Sequence, residues 1–335
     1  MRATVALLAV GLTVTGGAGG RPVALVVSTG TDSRLLLSTN GQSWRDATPS
    51  PPPFAIDDVQ FVDARHGFAT TGDCIAARET VHGTSDAGRT WRRLSGLQGH
   101  SCNGGATTAI SFVDARRGWS TWVEPTGPGA QLSRTTNGGR SWTQVRADLP
   151  LPGVVRFRTA SDGWLTHIFR WPAPMYETRD GGHRFRARRV ARPTGVHGVA
   201  AYESPIFFGR VGVLATRWEP TGGSRDRFDV DAFYRTSDGG RRWALASKLR
   251  LQPASDLRVV SPSVWWLASR NAVYLTTTAG RRWARHAFRL GFRPLELSLT
   301  PVGARSAVLQ TYNEPNRMRW FVTHDGGATF DRFTP

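Results

Sequence analysis

The chain has 335 residues, 39% hydrophobic and 20% charged, with 37 Gly, 20 Pro and 13 Trp. That is ample for a core, and few strong helix formers beside so many turn and aromatic residues exclude a helical bundle in favour of β-structure. The 43 Lys+Arg against 25 Asp+Glu give a formal net charge of +18, yet the only lysine is Lys248 and the arginines run from Arg21 to Arg332 without a dominant block. So even a spread argues against a nucleic-acid stripe, and an anionic envelope surface or polysaccharide is the better recipient of the charge.

Met1-Arg2 is a short positive start, Ala3 to Val14 is apolar, and Gly16-Gly17-Ala18-Gly19-Gly20 is small. Residues 1–20 therefore read as a secretory signal peptide, and the protein as secreted or associated with the cell envelope. No cysteine follows directly, which argues against a lipid-modified N-terminus. No later segment reaches the roughly 18 apolar residues of a membrane span. In an oxidising compartment the only two cysteines, Cys74 and Cys102, are expected to close one disulfide.

From residue 23 onward one short pattern recurs seven times. Its clearest copy is Thr84-Ser85-Asp86-Ala87-Gly88-Arg89-Thr90-Trp91. The others centre on Asn137, Gly139 and Trp142; Asp180, Gly182 and Phe185; Asp238, Gly240 and Trp243; and Asp325, Gly327 and Phe330. Two copies are degenerate: Asn40 to Trp44 is one residue short, and the copy with Gly280 and Trp283 has Thr278 in place of Asp or Asn. The closing aromatics at 44, 91, 142, 185, 243, 283 and 330 are spaced 47, 51, 43, 58, 40 and 47 residues apart. A period in that range is what a four-stranded propeller blade consumes. Asp or Asn bonds backbone N–H groups just ahead, Gly reverses the chain, and the aromatic opens the next strand.

An apolar strand, a turn, then Gly and an aromatic precede most copies, as in Val59 to Phe68 and Ile110 to Trp119, more loosely in Val155 to Trp164, Ile206 to Val213, Leu257 to Trp266 and Leu297 to Val308. Period-two alternation makes these the first two strands of each blade. The first repeat has only Val23 to Ser28 for this role, so its blade is either short or completed by the other terminus.

The seven turns resemble the Asp-box, or bacterial neuraminidase (BNR) repeat, of sialidases and sortilin-type receptors. Paired with the Asp-x-x-x-Gly-aromatic hairpin, they most resemble the photosystem II assembly factor family of propellers. The resemblance covers residues 23 to 335. It implies an all-β, seven-bladed β-propeller of four-stranded antiparallel blades, one domain over residues 21–335, with the boxes as structural turns facing away from the binding surface.

The opposite rim is then the candidate functional face. Trp122-Val123-Glu124-Pro125-Thr126-Gly127 recurs as Trp218-Glu219-Pro220-Thr221-Gly222 and more distantly as Tyr312-Asn313-Glu314-Pro315, with Trp171-Pro172 in the fourth repeat. Aromatics and carboxylates around one mouth stack and hydrogen-bond a sugar or clasp a basic peptide; the same recurrence is also what duplicated blades retain as a plain Glu-Pro turn. The longest step adds Arg225 and Arg227 on an insertion. The binding candidates are Trp122, Glu124, Trp171, Trp218, Glu219, Arg225, Arg227, Tyr312 and Glu314.

A divergent sialidase-like glycoside hydrolase is the alternative. The resemblance would then require three arginines and an Arg-Ile-Pro stretch before the first box, where this chain has only Arg21-Pro22; Phe292-Arg293-Pro294 lies late and lacks the Ile. No His-Glu-x-x-His, Gly-x-Ser-x-Gly or clustered metal ligand set occurs. The expectation is a monomeric, non-catalytic binding or assembly module without cofactor or metal. Its partner is an envelope or extracellular protein or glycan, possibly anionic, rather than nucleic acid.

Overall fold

Alternating apolar and polar residues let each strand bury one neighbour-facing row on either side of its sheet, and seven such sheets follow one another along the chain. The computed structural model describes residues 21–28, 33–51, 53, 55–73, 78–98, 107–123, 129–167, 173–219, 229–251, 256–269, 271–288, 290–292, 294, 296–313 and 317–334. Blade 1 is Val23–Ser28, Ser33–Ser38 and Arg45–Asp46; blade 2 is Ala55–Phe61, Gly67–Asp73, Arg78–Thr84 and Arg92–Gln98. Blade 3 is Thr107–Phe112, Gly118–Val123, Ala130–Thr135 and Thr143–Arg146; blade 4 is Gly153–Phe157, Gly163–His167, Met175–Thr178 and Arg186–Arg188. In blade 5, Val199–Tyr202 and Ile206–Phe208 both pair with Val211–Glu219, followed by Asp229–Thr236 and Ala244–Leu251. Blade 6 is Asp256–Val259, Trp265–Ser269, Ala272–Thr276 and Ala284–Ala287; blade 7 is Glu296–Pro301, Ala307–Asn313, Arg317–Thr323 and Asp331–Phe333. Every pairing is antiparallel and, apart from Val199–Tyr202 with Val211–Glu219, between sequence neighbours, so the fold is the all-β, seven-bladed propeller expected from the repeats. Among the described residues no helix is long and apolar enough to cross a membrane.

Of the two alternatives for the first blade, the structure shows the short one. Blade 1 shows three strands among the described residues, not four, because Val23–Ser28 takes the second-strand place beside Ser33–Ser38. The other terminus does not complete it, since Asp331–Phe333 pairs within blade 7. The ring closes by packing instead: Leu25, Val27 and Leu36 of blade 1 bury against Val308 and Trp320 of blade 7, with Trp44 and Phe333 6.1 Å apart at the edge. Each of the other six blade interfaces likewise has its own apolar cluster. Cys74 and Cys102 lie outside the described residues.

All seven repeat turns share one hydrogen-bond pattern. The hydroxyl of Ser38, Thr84, Thr135, Thr178, Thr236, Thr276 or Thr323 accepts from the N–H of Gly41, Gly88, Gly139, Gly182, Gly240, Gly280 or Gly327 at 2.8–3.1 Å. The same hydroxyl donates to Asn40, Asp86, Asn137, Asp180, Asp238 or Asp325. The Asp or Asn oxygen accepts N–H groups across the turn, as Asp238 does from Arg241 and Arg242 at 2.9 and 3.0 Å. In blade 6, Thr278 Oγ1 replaces the carboxylate and accepts from Arg282 N at 3.0 Å, so the shape survives without the charge. From blade 2 on, this turn also donates to a carbonyl of the first hairpin of its own blade, as Ala87 N does to Arg65 O and Ala279 N to Ser263 O, both at 2.9 Å. Both turns of a blade therefore sit at one end of the propeller. The strand ends that lead toward the loops between second and third strands and between blades lie at the other.

Candidate functional site

Of the rim candidates from the Trp-Glu-Pro recurrence, the structure describes Trp122, Trp218, Glu219 and Tyr312. Trp122, Trp218 and Tyr312 stand on blades 3, 5 and 7, which are not neighbours. Trp218 is a correction: it is 6% exposed, packs in the cluster between blades 4 and 5, and donates its Nε1 to Thr216 Oγ1 at 2.9 Å. It follows Leu214 and Thr216 at period two, which turns it toward the preceding blade rather than the rim. Tyr312 lies two pleats beyond Val308 and faces the opposite way round the ring, toward blade 1. Trp122 and Glu219 are half-buried at strand ends. Glu124, Trp171, Arg225, Arg227 and Glu314 lie outside the described residues.

The structure gathers other groups, between blades 4 and 5. A cleft there is lined by Met175, Arg188, Arg189, Val190, Ala191, Gly240, Arg241 and Trp243. Its apolar floor is Met175, 1% exposed, and Val190, with Trp243 standing edge-on to Phe207 at 5.9 Å. Beneath runs a ladder of alternating charge. Arg158 pairs with Asp162; Arg179 reaches both Asp162 at 3.4 Å and the buried Glu177 at 3.2 Å; Arg188 Nε meets the other Glu177 oxygen at 3.0 Å. Arg179 also lies 5.4 Å over the Trp164 ring. Glu177 thus fixes Arg188 at the cleft wall, while Arg189 and Arg241 are exposed. The segment after Arg188 is pinned as well: Val190 N donates to Tyr202 Oη at 3.3 Å, and Tyr234 Oη donates to Ala191 O at 2.7 Å. Burial pushes the Tyr234 hydroxyl up to about 12 and raises Tyr202, so both stay protonated.

A rigid, cationic cleft with an apolar floor suits a carboxylate carried on an apolar or aromatic group. Its residues belong to two blades and three separate stretches of sequence. The one local signal was the density of arginine from Arg184 to Arg192. No cluster of His, Cys, Asp and Glu that could hold a metal is present among the described residues.

Titration behaviour follows from burial and from the turns. Burial, with a contribution from Arg93, pushes His82 down from 6.5 to about 4, with its Nε2 3.0 Å from Thr71 Oγ1. The unfolded chain therefore binds this proton near pH 6.5 and the native one only near 4, so stability falls as pH drops through that window. The Thr90 hydroxyl and N–H hold Asp86 far below the usual carboxylate range, and the Arg242 N–H with the Thr236 hydroxyl lowers Asp238. Their contribution is present above about pH 4 and is lost below it. Urea-unfolding midpoints are expected to fall in two stages on acidification. His82→Gln should remove the upper stage, and Asp86→Asn with Asp238→Asn should shrink the lower. A parent protein with no loss between about pH 6.5 and 4 contradicts the His82 assignment.

Comparison with known proteins gives the following. The family described as photosynthesis system II assembly factor YCF48 matches residues 37–203. The photosystem II assembly lipoprotein Ycf48 of Synechococcus sp. (strain CC9902) is 26% identical over 189 residues, covering 53% of this chain and 53% of that protein. The chain therefore matches about half the length of that curated relative. Among solved structures, oligogalacturonate lyase from Vibrio parahaemolyticus superposes with a TM-score of 0.61 at 10% identity, covering 93% of this chain and 89% of the other, a likeness of fold alone. YCF48 bound to D1 peptide aligns with a TM-score of 0.39 at 17% identity, over 93% of this chain and 96% of that one.

Proposed function

The chain is a BNR-type propeller that resembles the photosystem II assembly factor, and from that premise we propose that it is a secreted or envelope-associated, monomeric, non-catalytic binding module. Its partner in this reading is an envelope protein with an acidic segment, gripped in the cleft between blades 4 and 5. The observation that carries the reading is the convergence of Arg188, Arg189 and Arg241 on an apolar floor of Met175 and Val190 beside Trp243. The matched relative is named an assembly lipoprotein, which supports a role in holding another protein rather than in turnover. A glycan partner is less well matched, because the described aromatics Trp122, Trp218 and Tyr312 stand on blades 3, 5 and 7 and the Trp218 ring is buried.

The test is fluorescence anisotropy with labelled Asp/Glu-rich peptides ending in a free carboxylate beside Phe or Leu, against Lys-rich peptides of the same length. Acidic peptides should bind, more weakly at higher salt, and Arg188→Gln with Arg189→Gln should weaken them at least tenfold. Equal binding of acidic and basic peptides, or indifference to the two substitutions, defeats the reading. A fluorogenic panel that includes sialosides should show no turnover; hydrolysis abolished by Glu219→Gln or Glu314→Gln would make the chain a glycoside hydrolase instead.

A further inference from the structure

The fold collects a share of the arginines, evenly spread along the sequence, at one end of the propeller. Both turns of each blade from blade 2 on lie at that end, and arginine follows the last turn glycine in blades 2, 3, 5 and 6, as Arg89, Arg140, Arg241 and Arg281. Most blades carry carboxylates there as well. Blade 3 sets Asp114 against Arg117 at 2.6 Å, and blade 4 sets Asp162 against Arg158.

Blade 6 departs from this balance. Its repeat turn has Thr278 where the six others have Asp or Asn with a carboxylate or amide oxygen, and its first hairpin turns on Ser261, which accepts from Val264 N at 3.1 Å where blades 2 and 3 use Asp63 and Asp114. Neither turn contains an acid, yet Arg281 and Arg282 are both exposed. Among the described residues neither guanidinium forms an ion pair or a hydrogen bond. Blade 5 beside it adds Arg210, Arg241 and Arg242, all exposed, against the single Asp238. The two turns of blade 6 are braced together by the Ala279 N to Ser263 O bond, so the charges sit on a rigid end.

We propose that the turn end of blades 5 and 6 is a docking surface for an anionic phospholipid bilayer. Apart from Arg241, which also lines the cleft, the charges project from exposed turn tips rather than lining a groove, so they suit a planar array of headgroups more than a peptide, which the cleft at the side receives. Nucleic acid fits less well, because Trp243 and Trp283 at these turns are packed into blade interfaces and leave no ring free to stack a base. Guanidinium and phosphate are matched in geometry and charge, and each arginine near an anionic leaflet adds a sizeable share of the attraction.

The experiment is co-sedimentation of the protein with vesicles of phosphatidylcholine alone, or of phosphatidylcholine with about 30% phosphatidylglycerol, at low and high salt. Binding should require phosphatidylglycerol, fall with salt, and drop about 25-fold in Arg281→Gln with Arg282→Gln, about fivefold for each arginine. Thr278→Asp, which installs the residue other blades use in the same turn, should lower it about fivefold with the melting temperature unchanged. Sedimentation independent of phosphatidylglycerol, or variants that partition like the parent, overturns the proposal. So does tighter binding to duplex DNA than to the anionic vesicles with the same arginine dependence. The cleft is read through Arg188 and Arg189, and this surface through Arg281, Arg282 and Thr278, so each proposal fails separately.

Discussion

Gly240→Ala is expected to lower stability by about 3 kcal/mol, and to do so at the interface that carries the cleft. Gly240 has φ +84°, where an L side chain costs about 1 kcal/mol or somewhat more. A Cβ there would stand 2.5 Å from Trp164 Cζ2 and 3.2 Å from Phe207 Cζ. Trp164 is 1% exposed and stacks on Phe207 at 4.5 Å, with Arg179 over its ring, so it has nowhere to retreat without disturbing the charge ladder under the cleft. Forcing atoms into such packing adds roughly 1–3 kcal/mol. Gly195→Ala is the control, because Gly195 has φ +72° and nothing within 4 Å of its Cβ position, leaving only the backbone cost of about 1 kcal/mol. Urea unfolding of the two variants side by side measures the difference. Equal losses would mean that Trp164 yields freely, and the blade 4–5 interface would then be softer than its packing implies.

The same glycine shows what could be read in advance. The Thr-x-Asp-x-Gly-x-x-Trp pattern was visible because its chemistry is local: hydroxyl, carboxylate and glycine lie within eight residues and satisfy one another whatever the rest of the chain does. Even the decayed copies could be trusted, since Thr278 still offers an oxygen to Arg282 N. The site was different. Trp218-Glu219-Pro220 looked like a loop motif, but the ladder with Asp229–Thr236 runs as far as Trp218, opposite Val230, and its ring faces blade 4. The arginine cleft showed only as the density of arginine from Arg184 to Arg192, because Arg188, Arg189 and Arg241 acquire a common location only when blades 4 and 5 meet. The acid-free turns of blade 6 were legible only as a degenerate repeat, and their meaning depends on knowing that both turns share one end.

Asp58 is the clearest case of a residue whose role the sequence conceals, and Asp58→Ala is expected to cost about 3 kcal/mol. In the run Ile56-Asp57-Asp58-Val59, alternation alone gives no reason to bury the second acid. The register shifts between Ile56 and Asp58, and the bulge turns Asp58 inward, where it is 2% exposed. Its Oδ2 accepts from Ile110 N at 3.2 Å and from Arg156 Nη1 at 3.2 Å, and Arg156 also donates to Ile110 O. One carboxylate therefore links the first strands of blades 2, 3 and 4. Those strands have no backbone ladder between blades, so side chains supply the connection. Gln60 does the same with Phe112 N and O at 2.7 and 2.9 Å, and Ser111 Oγ with Phe157 N at 2.8 Å. Removing the Asp58 carboxylate strips a buried amide of its acceptor and Arg156 of its counter-charge; Asp58→Asn keeps an acceptor and should cost about 1 kcal/mol. Because blade contacts close into a ring, the loss should appear as a lower midpoint of one cooperative urea transition rather than as local fraying. An Asp58→Ala protein that unfolds like the parent would show that the apolar clusters at the blade 2–3 and 3–4 interfaces hold the inner strands without it.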